Sequence, residues 1–169
     1  MKSTHIQVRR LAPADAASYR AIRLDALQGN PEAYGSTFEA ENAQPLTWFA
    51  DRLGGSVVFG ALHGSELVGI AGLSIGEGKK EAHKGLLRGM YVQPGSRRAG
   101  IGRRLVETII ELARHQIELL HLTVVSDNEQ ARRLYASLGF LEYGIEKNAL
   151  KQDGHYYDEV LMAMNLKPD

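Results

Sequence analysis

Residues Arg97–Leu105 read RRAGIGRRL and place two glycines among four arginines where an amphipathic run begins. A strand predicted at 85–92 and the pair Pro94-Gly95 precede this stretch, and a helix predicted at about 99–116 follows it. The first turn of a helix has backbone N–H groups without an internal partner, and the helix dipole adds partial positive charge there. The sequence therefore predicts an anion site, with pyrophosphate as its natural ligand.

Glycine and arginine have separate tasks in this turn. Gly100 and Gly102 let the backbone come close to a phosphate, where a Cβ would intrude. Charge-assisted hydrogen bonds can come from three side chains: Arg97, Arg98 and Arg103. The alternative is a solvated, arginine-rich turn. The Rossmann pattern fails because position 105 is leucine, and the Gly-Lys-Ser/Thr of a Walker A loop is missing.

Composition limits the class of protein. The 169 residues suit a single domain, which we expect to span 1–169. The absence of cysteine excludes disulfides, thiolate metal ligands and thiol catalysis, and we expect no metal. Because 20 basic residues balance 20 acidic ones, we expect no nucleic-acid partner. No signal-peptide core and no apolar run of about 18 residues is present, so we expect a cytoplasmic protein without a membrane partner.

Hydrophobic patterning predicts a mixed α/β (α+β) fold. A right-handed crossover through the helix at 99–116 implies parallel strands in the centre, and hairpins elsewhere imply antiparallel pairing. Gly64-Ser65 is the clearest hairpin turn. Strands are predicted at 6–11, 56–63, 66–75, 85–92, 119–125, 140–148 and 156–166. Helices are predicted at 13–29, within 31–54, at about 99–116 and at 128–139.

Two motifs resemble those of the GCN5-related N-acetyltransferase (GNAT) family. Residues 97–102 match its Arg/Gln-x-x-Gly-x-Gly/Ala motif, and Val92-Gln93-Pro94 matches the Val-x-Pro that often precedes it. A second block lies about 26 residues further on. It matches the family's Asn-x-x-Ala-x-x-x-Tyr-x-x-x-Gly-Phe through Asn128, Ala131, Tyr135, Gly139 and Phe140. The order of predicted elements fits the family from residue 5 to 166.

The resemblance implies a fold and a co-substrate. The fold is a central mixed, mostly antiparallel twisted sheet of six to seven strands with about four flanking helices. The co-substrate is acetyl-CoA, whose pantetheine arm would pair with the exposed backbone of Met90, Tyr91 and Val92, much as an added strand does. Its pyrophosphate would lie on the N–H groups of Arg97, Arg98, Ala99, Gly100, Ile101, Gly102 and Arg103. Asn128 would bind the pantetheine arm; a helix cap is the alternative role, and both are compatible.

Acetyl transfer to an amine needs a neutral amine, a stabilised oxyanion and a proton for the departing thiolate. Backbone N–H groups at the end of the strand at 85–92 can stabilise the oxyanion. Tyr135 lies seven residues after Asn128, about two helical turns along the same face. We therefore predict Tyr135 as the general acid, with core packing beside Leu134 and Leu138 as the alternative.

The general base is less apparent from the sequence. Many relatives place a glutamate on the fourth strand, but HKGLLRGMYV at 83–92 has none, and Thr123 stands where some relatives have one on the fifth strand. His83 is the predicted base because an unperturbed imidazole titrates near neutral pH. An ordered water and three carboxylates remain as options: Glu81, Asp158 and Glu159.

The acceptor pocket is predicted between residues 29–53 and a final loop at 151–159. Six residues are predicted to line it: Tyr34, Phe38, Glu39, Trp48, His155 and Tyr156. The predicted activity is direct transfer of acetyl from acetyl-CoA to a primary amine, whether a small amine, an amino acid or a peptide N-terminus. The alternative is a non-catalytic CoA- or nucleotide-binding module of the same fold. The sequence leaves the formation of a homodimer open.

Overall fold

The computed structural model describes residues 5–167, which form one seven-stranded sheet in the order β1-β2-β3-β4-β5-β7-β6. The strands are β1 (Ile6–Arg10), β2 (Val57–His63), β3 (Glu66–Ile75), β4 (Lys84–Val92), β5 (Leu119–Val125), β6 (Leu141–Gln152) and β7 (His155–Asn165). The α-helices are α1 (Ala16–Gly29), α2 (Phe38–Asn42), α3 (Leu46–Gly55), α4 (Ile101–Arg114) and α5 (Glu129–Ser137). Short 3₁₀ turns at Pro13–Asp15, Pro31–Ala33 and Pro94–Ser96 join them.

Two apolar clusters cover the two faces of the sheet. On one face, α4 buries residues at helical spacing, among them Ile101, Leu105 and Ile109, against β2 to β5 and β7. On the other face, α1 and α3 bury Ile22 and Phe49. Each fully buried aliphatic or phenyl side chain contributes about 1.5–3 kcal/mol relative to exposure, so both clusters hold the helices on the sheet.

The centre of the sheet opens between β4 and β5. These strands are parallel and pair only at Lys84–Leu119, Gly85–Leu120 and Leu86–His121 among the described residues. The register between β3 and β4 shifts between Ile70 and Gly72, and Gly89 on β4 has φ +64°. A bulge with a glycine in the left-handed region bends a strand, so β4 leaves β5 beyond Leu86.

The predicted α/β fold with a mixed, mostly antiparallel sheet is confirmed. The domain prediction over 1–169 includes residues 1–4 and 168–169, which lie outside the described residues. Within 5–167, no helix is long and apolar enough to cross a bilayer.

The final loop predicted at 151–159 is wrong. β6 ends at Gln152 and β7 begins at His155, so only two residues form the turn between them. These are Asp153 with φ +49° and Gly154 with φ +81°. Asp-Gly is favoured where both central residues of a tight hairpin turn need positive φ, so the strands continue to the turn.

Candidate active site

A cleft of about 860 Å³ lies where β4 and β5 separate. Residues 86–90 of β4 form one wall and residues 122–125 of β5 the other. Asn128, Ala131 and Tyr135 close one side through α5, and α1 to α3 with their connecting turns close the other. The gap in the sheet is therefore open to groups from both of its faces.

Alternation along the strands assigns the polar groups to these faces. Leu87, Leu122 and Val160 pack into the cluster that contains α4 and Tyr135. Side chains next to them along each strand point to the opposite face. Arg88 and Glu159 therefore lie on the face covered by α1 and α3, across the sheet from Tyr135.

The N-terminus of α4 has the backbone of an anion cradle. Gly100 is its N-cap residue, with φ +74°, and Arg104 N–H donates to the Gly100 carbonyl at 3.1 Å. The preceding N–H groups of the first turn have no carbonyl one turn back to bond with. A Cβ on Gly100 would meet no atom within 4 Å, so this side of the turn is open. The turn thus fits a pyrophosphate.

Gly102 has a different task from Gly100. A Cβ there would come within 2.8 Å of Met90 Cε and 3.5 Å of Leu134 Cδ2. Its missing side chain lets α4 approach β4 and α5 at the end of the cleft. The close packing explains this glycine without a phosphate.

Two of the three arginines predicted to face phosphate bind groups of the protein. Arg97 Nε donates to the Val92 carbonyl at 2.9 Å, with the guanidinium 5.8 Å from the centre of the Tyr91 ring. Arg103 donates to Ser137 Oγ at 2.6 Å. Arg98 is exposed and has φ +66°. Contact of any of them with a phosphate stays a prediction.

Tyr135 is both a core residue and a wall of the cleft. Its side chain is buried, packs edge-on against Phe140 at 5.9 Å between ring centres and faces the gap. Burial raises the pKa of Tyr135 to about 12. The phenol therefore stays protonated, and a hydrogen-bond donor, throughout the neutral range.

Asn128 caps α5 and also lines the cleft. Its Oδ1 accepts from Ala131 N–H at 3.2 Å, so the predicted capping role is confirmed. The side-chain NH₂ remains as a donor toward the gap. Binding of the pantetheine arm by this group stays a prediction.

A buried ion pair on the other face was missed by sequence reasoning. Arg23 of α1 donates to both carboxylate oxygens of Glu41 at 2.9 and 2.8 Å, and Arg52 lies 3.4 Å from the same carboxylate. Burial opposes ionisation of Glu41, but the arginines outweigh it and lower its pKa. Tyr34 lies under the Arg23 guanidinium and donates to the Met90 carbonyl at 2.9 Å.

Arg23 and Arg52 pair with Glu41, whereas Arg88, the third arginine that lines the cleft, forms no ion pair within the described residues. Its guanidinium has one weak contact, 3.4 Å to Ser74 Oγ. Burial, followed by repulsion from Arg52 and Arg23, lowers the pKa of Arg88. A cation beside two others stabilises an anion that enters the cleft.

Several residues predicted from the sequence lie away from the cleft lining. His83 is exposed before β4, at the end where β4 and β5 are paired, whereas the cleft lies beyond Leu86. Phe38 and Glu39 begin α2, and Glu41 is its buried residue. His155 and Tyr156 follow the hairpin turn and are exposed. Tyr34, Trp48 and Glu159 do line the cleft. The structure thus brings Glu159, not His83, to the gap.

Known proteins share this fold. A sequence model described as the acetyltransferase (GNAT) family matches residues 20–140. The chain therefore belongs to this family and is an acetyl-CoA-dependent N-acetyltransferase, which favours the enzyme over the non-catalytic module.

Two curated relatives cover most of both chains. The N-alpha-acetyltransferase RimI of Mycobacterium tuberculosis is 28% identical over 85% of this chain and 84% of its own. The L-amino acid N-acetyltransferase AaaT of Escherichia coli is 26% identical over 89% of this chain and 93% of its own. The structure of yncA from Salmonella typhimurium, solved with its cofactor acetyl-CoA, superposes with a TM-score of 0.79 at 21% identity, covering 97% of this chain and 95% of that one.

Proposed function

We propose that the enzyme acetylates the α-amino group of a free amino acid. The observation that carries this proposal is Arg88, an exposed cation of the cleft wall that forms no ion pair within the described residues, in the cleft that Tyr135 also lines. A free amino acid brings a carboxylate within two bonds of its amine, whereas a peptide N-terminus has an uncharged amide there. The relative named as an L-amino acid N-acetyltransferase supports the same acceptor class.

The two faces of the cleft divide the chemistry between them. Arg88 holds the carboxylate on the face of α1 and α3, which directs the amine toward the gap in the sheet. Backbone N–H groups freed by the bulge near Gly89 are suited to stabilise the oxyanion. Tyr135, on the opposite face, donates a hydrogen bond to the sulfur as the C–S bond breaks.

The substrate class is tested by a turnover screen. Release of free CoA is measured with acetyl-CoA and the twenty L-amino acids, their decarboxylated amines and short peptides. We expect turnover with amino acids and a kcat/KM at least tenfold lower for the matching decarboxylated amines. Better turnover with peptides would assign the enzyme to protein N-termini and overturn the proposal.

Replacement of the predicted carboxylate ligand gives the sharper test. We expect Arg88→Gln to raise the KM for the amino acid at least tenfold, about 1.4 kcal/mol, and to leave the KM of the decarboxylated amine unchanged. The matched control is Arg20→Gln, because Arg20 is a partly exposed arginine bonded to Asn42 outside the cleft. Equal losses with both acceptors would show that Arg88 does not bind a carboxylate.

A further inference from the structure

Glu159 is a carboxylate that lines the cleft on the face covered by α1 and α3. It lies on β7, where Val125 of β5 and Glu146 of β6 are its register partners. β-Strand alternation places it on the same face as Thr123 and Arg88. Glu159 and Thr123 both line the cleft, across the gap from Tyr135.

The surroundings of Glu159 are suited to proton transfer. Burial, followed by repulsion from Glu146, raises its pKa, and a hydrogen bond from Thr123 lowers it in part. The other charged or titratable groups that line the cleft are Arg23, Tyr34, Glu41, Asp51, Arg52, Arg88 and Tyr135. Glu41 is committed to two arginines, which lower its pKa, so it is a poor proton acceptor. Of the two carboxylates compared, Glu41 and Glu159, it is Glu159 that has the environment of a general base.

We propose that Glu159 accepts the proton that the acceptor's ammonium group loses before its nitrogen attacks the thioester. This inference rests on the proposed amine acetylation. β5 has no carboxylate of its own, with Thr123 at the gap, and Glu159 supplies one from the neighbouring strand β7.

The protons and bonds balance without any further reactant. Glu159 takes one proton from the ammonium, and the neutral nitrogen forms a C–N bond to the acetyl carbon. The C–S bond then breaks and its electron pair moves to sulfur, beside the Tyr135 hydroxyl. The second proton leaves nitrogen as the amide forms and balances the one that the CoA thiolate gains. Glu159 returns its proton to solvent.

Glu159→Gln tests the role while keeping the size of the side chain. At pH 7 we expect kcat/KM for the best acceptor to fall about 100-fold or more. The dissociation constant of acetyl-CoA, measured by calorimetry, should stay within threefold. Without a base, the rate of the variant should keep rising with pH as the free amine accumulates. Unchanged turnover, or a loss that is equal at every pH, would overturn the proposal.

Glu146→Gln is the matched variant, because it removes the like charge and leaves Glu159 in place. The rising limb of the wild-type pH–rate profile should move to lower pH, with the plateau rate preserved. Carboxyl NMR of both proteins should show the Glu159 pKa raised in the wild type and lowered by Glu146→Gln. An ordinary Glu159 pKa in the wild type would overturn the proposal without any substrate. Absence of turnover with every amine would instead refute the proposed function, with the NMR titration still deciding on Glu159.

Discussion

A single hydroxyl distinguishes the proposed catalytic role of Tyr135 from its packing role. The ring is buried against Phe140, whereas the residue also forms part of the cleft wall. The pKa of about 12 keeps the phenol protonated beside a thiolate that is much less basic. We therefore propose that Tyr135 acts chiefly as a hydrogen-bond donor to the leaving sulfur, since a complete proton transfer from so weak an acid is uphill.

Tyr135→Phe should separate these two roles. We expect the acetyl-CoA dissociation constant and the free energy of unfolding to change little, and kcat to fall by about 100-fold. Steady-state kinetics with the best acceptor, together with calorimetry, measure the two effects. An equal kcat would reduce Tyr135 to a packing residue, and a parallel loss of acetyl-CoA affinity would make it a binding residue.

The turn before α4 combines an unusual backbone conformation with an open surface. Arg98 and Gly100 both have positive φ, and the helix begins immediately afterwards. The conformation turns the chain from β4 into the helix while leaving the first-turn N–H groups exposed to a ligand. The dipole of α4 and the exposed Arg98 add positive charge at the same place.

Gly100→Ala should impair both properties of this turn. A side chain at φ +74° costs about 1–2 kcal/mol of unfolding free energy, and a Cβ would project into the open space proposed for pyrophosphate. We expect acetyl-CoA to bind at least tenfold more weakly, as measured by calorimetry. The control is Gly95→Ala in the same turn, where φ is not positive and a Cβ also meets nothing within 4 Å. Equal acetyl-CoA affinity in both variants would refute the binding of pyrophosphate at this turn.

The Arg23–Glu41 ion pair joins α1 to α2 at the wall of the cleft. Both side chains are nearly fully buried, so neither can be compensated by water if its partner is removed. Breaking a buried pair by removing one charge typically costs about 3–5 kcal/mol. The pair thus holds together the wall of the cleft that carries Tyr34 and Arg52.

Glu41→Gln should therefore lower the free energy of unfolding by about 3–5 kcal/mol in urea denaturation. Glu39→Gln, on the same short helix but exposed, should change it by less than about 0.5 kcal/mol. The pKa of Glu41 is lowered on folding, so its contribution is present above the ordinary carboxyl pKa and lost as pH falls through the folded value. The wild type should lose this stabilisation in acid, whereas Glu41→Gln should show a flatter acid limb.

Short-range patterns in the sequence predict the strands, the helices and the glycine turn before α4. Such patterns act through neighbours close in the chain, which explains why the predicted elements are confirmed by the fold. Binding of phosphate at Gly100 stays a prediction, and Gly102 is explained by its close packing against Met90. Asp153-Gly154 carries the same kind of local signal, because Asp-Gly favours a tight hairpin turn in place of the loop predicted at 151–159.

Which side chains line the cleft depends on the tertiary structure. Arg23, Glu41, Arg88 and Glu159 come from α1, α2, β4 and β7, and no spacing in the sequence relates them. The bulge at Gly89 separates β4 from β5, and the register of β5 with β7 then places Glu159 opposite Val125, on the same face as Thr123. His83, the base predicted from the sequence, lies at the paired end of β4. A base must reach its proton, so we propose Glu159 over His83 because sheet register, rather than residue type, brings Glu159 to the cleft.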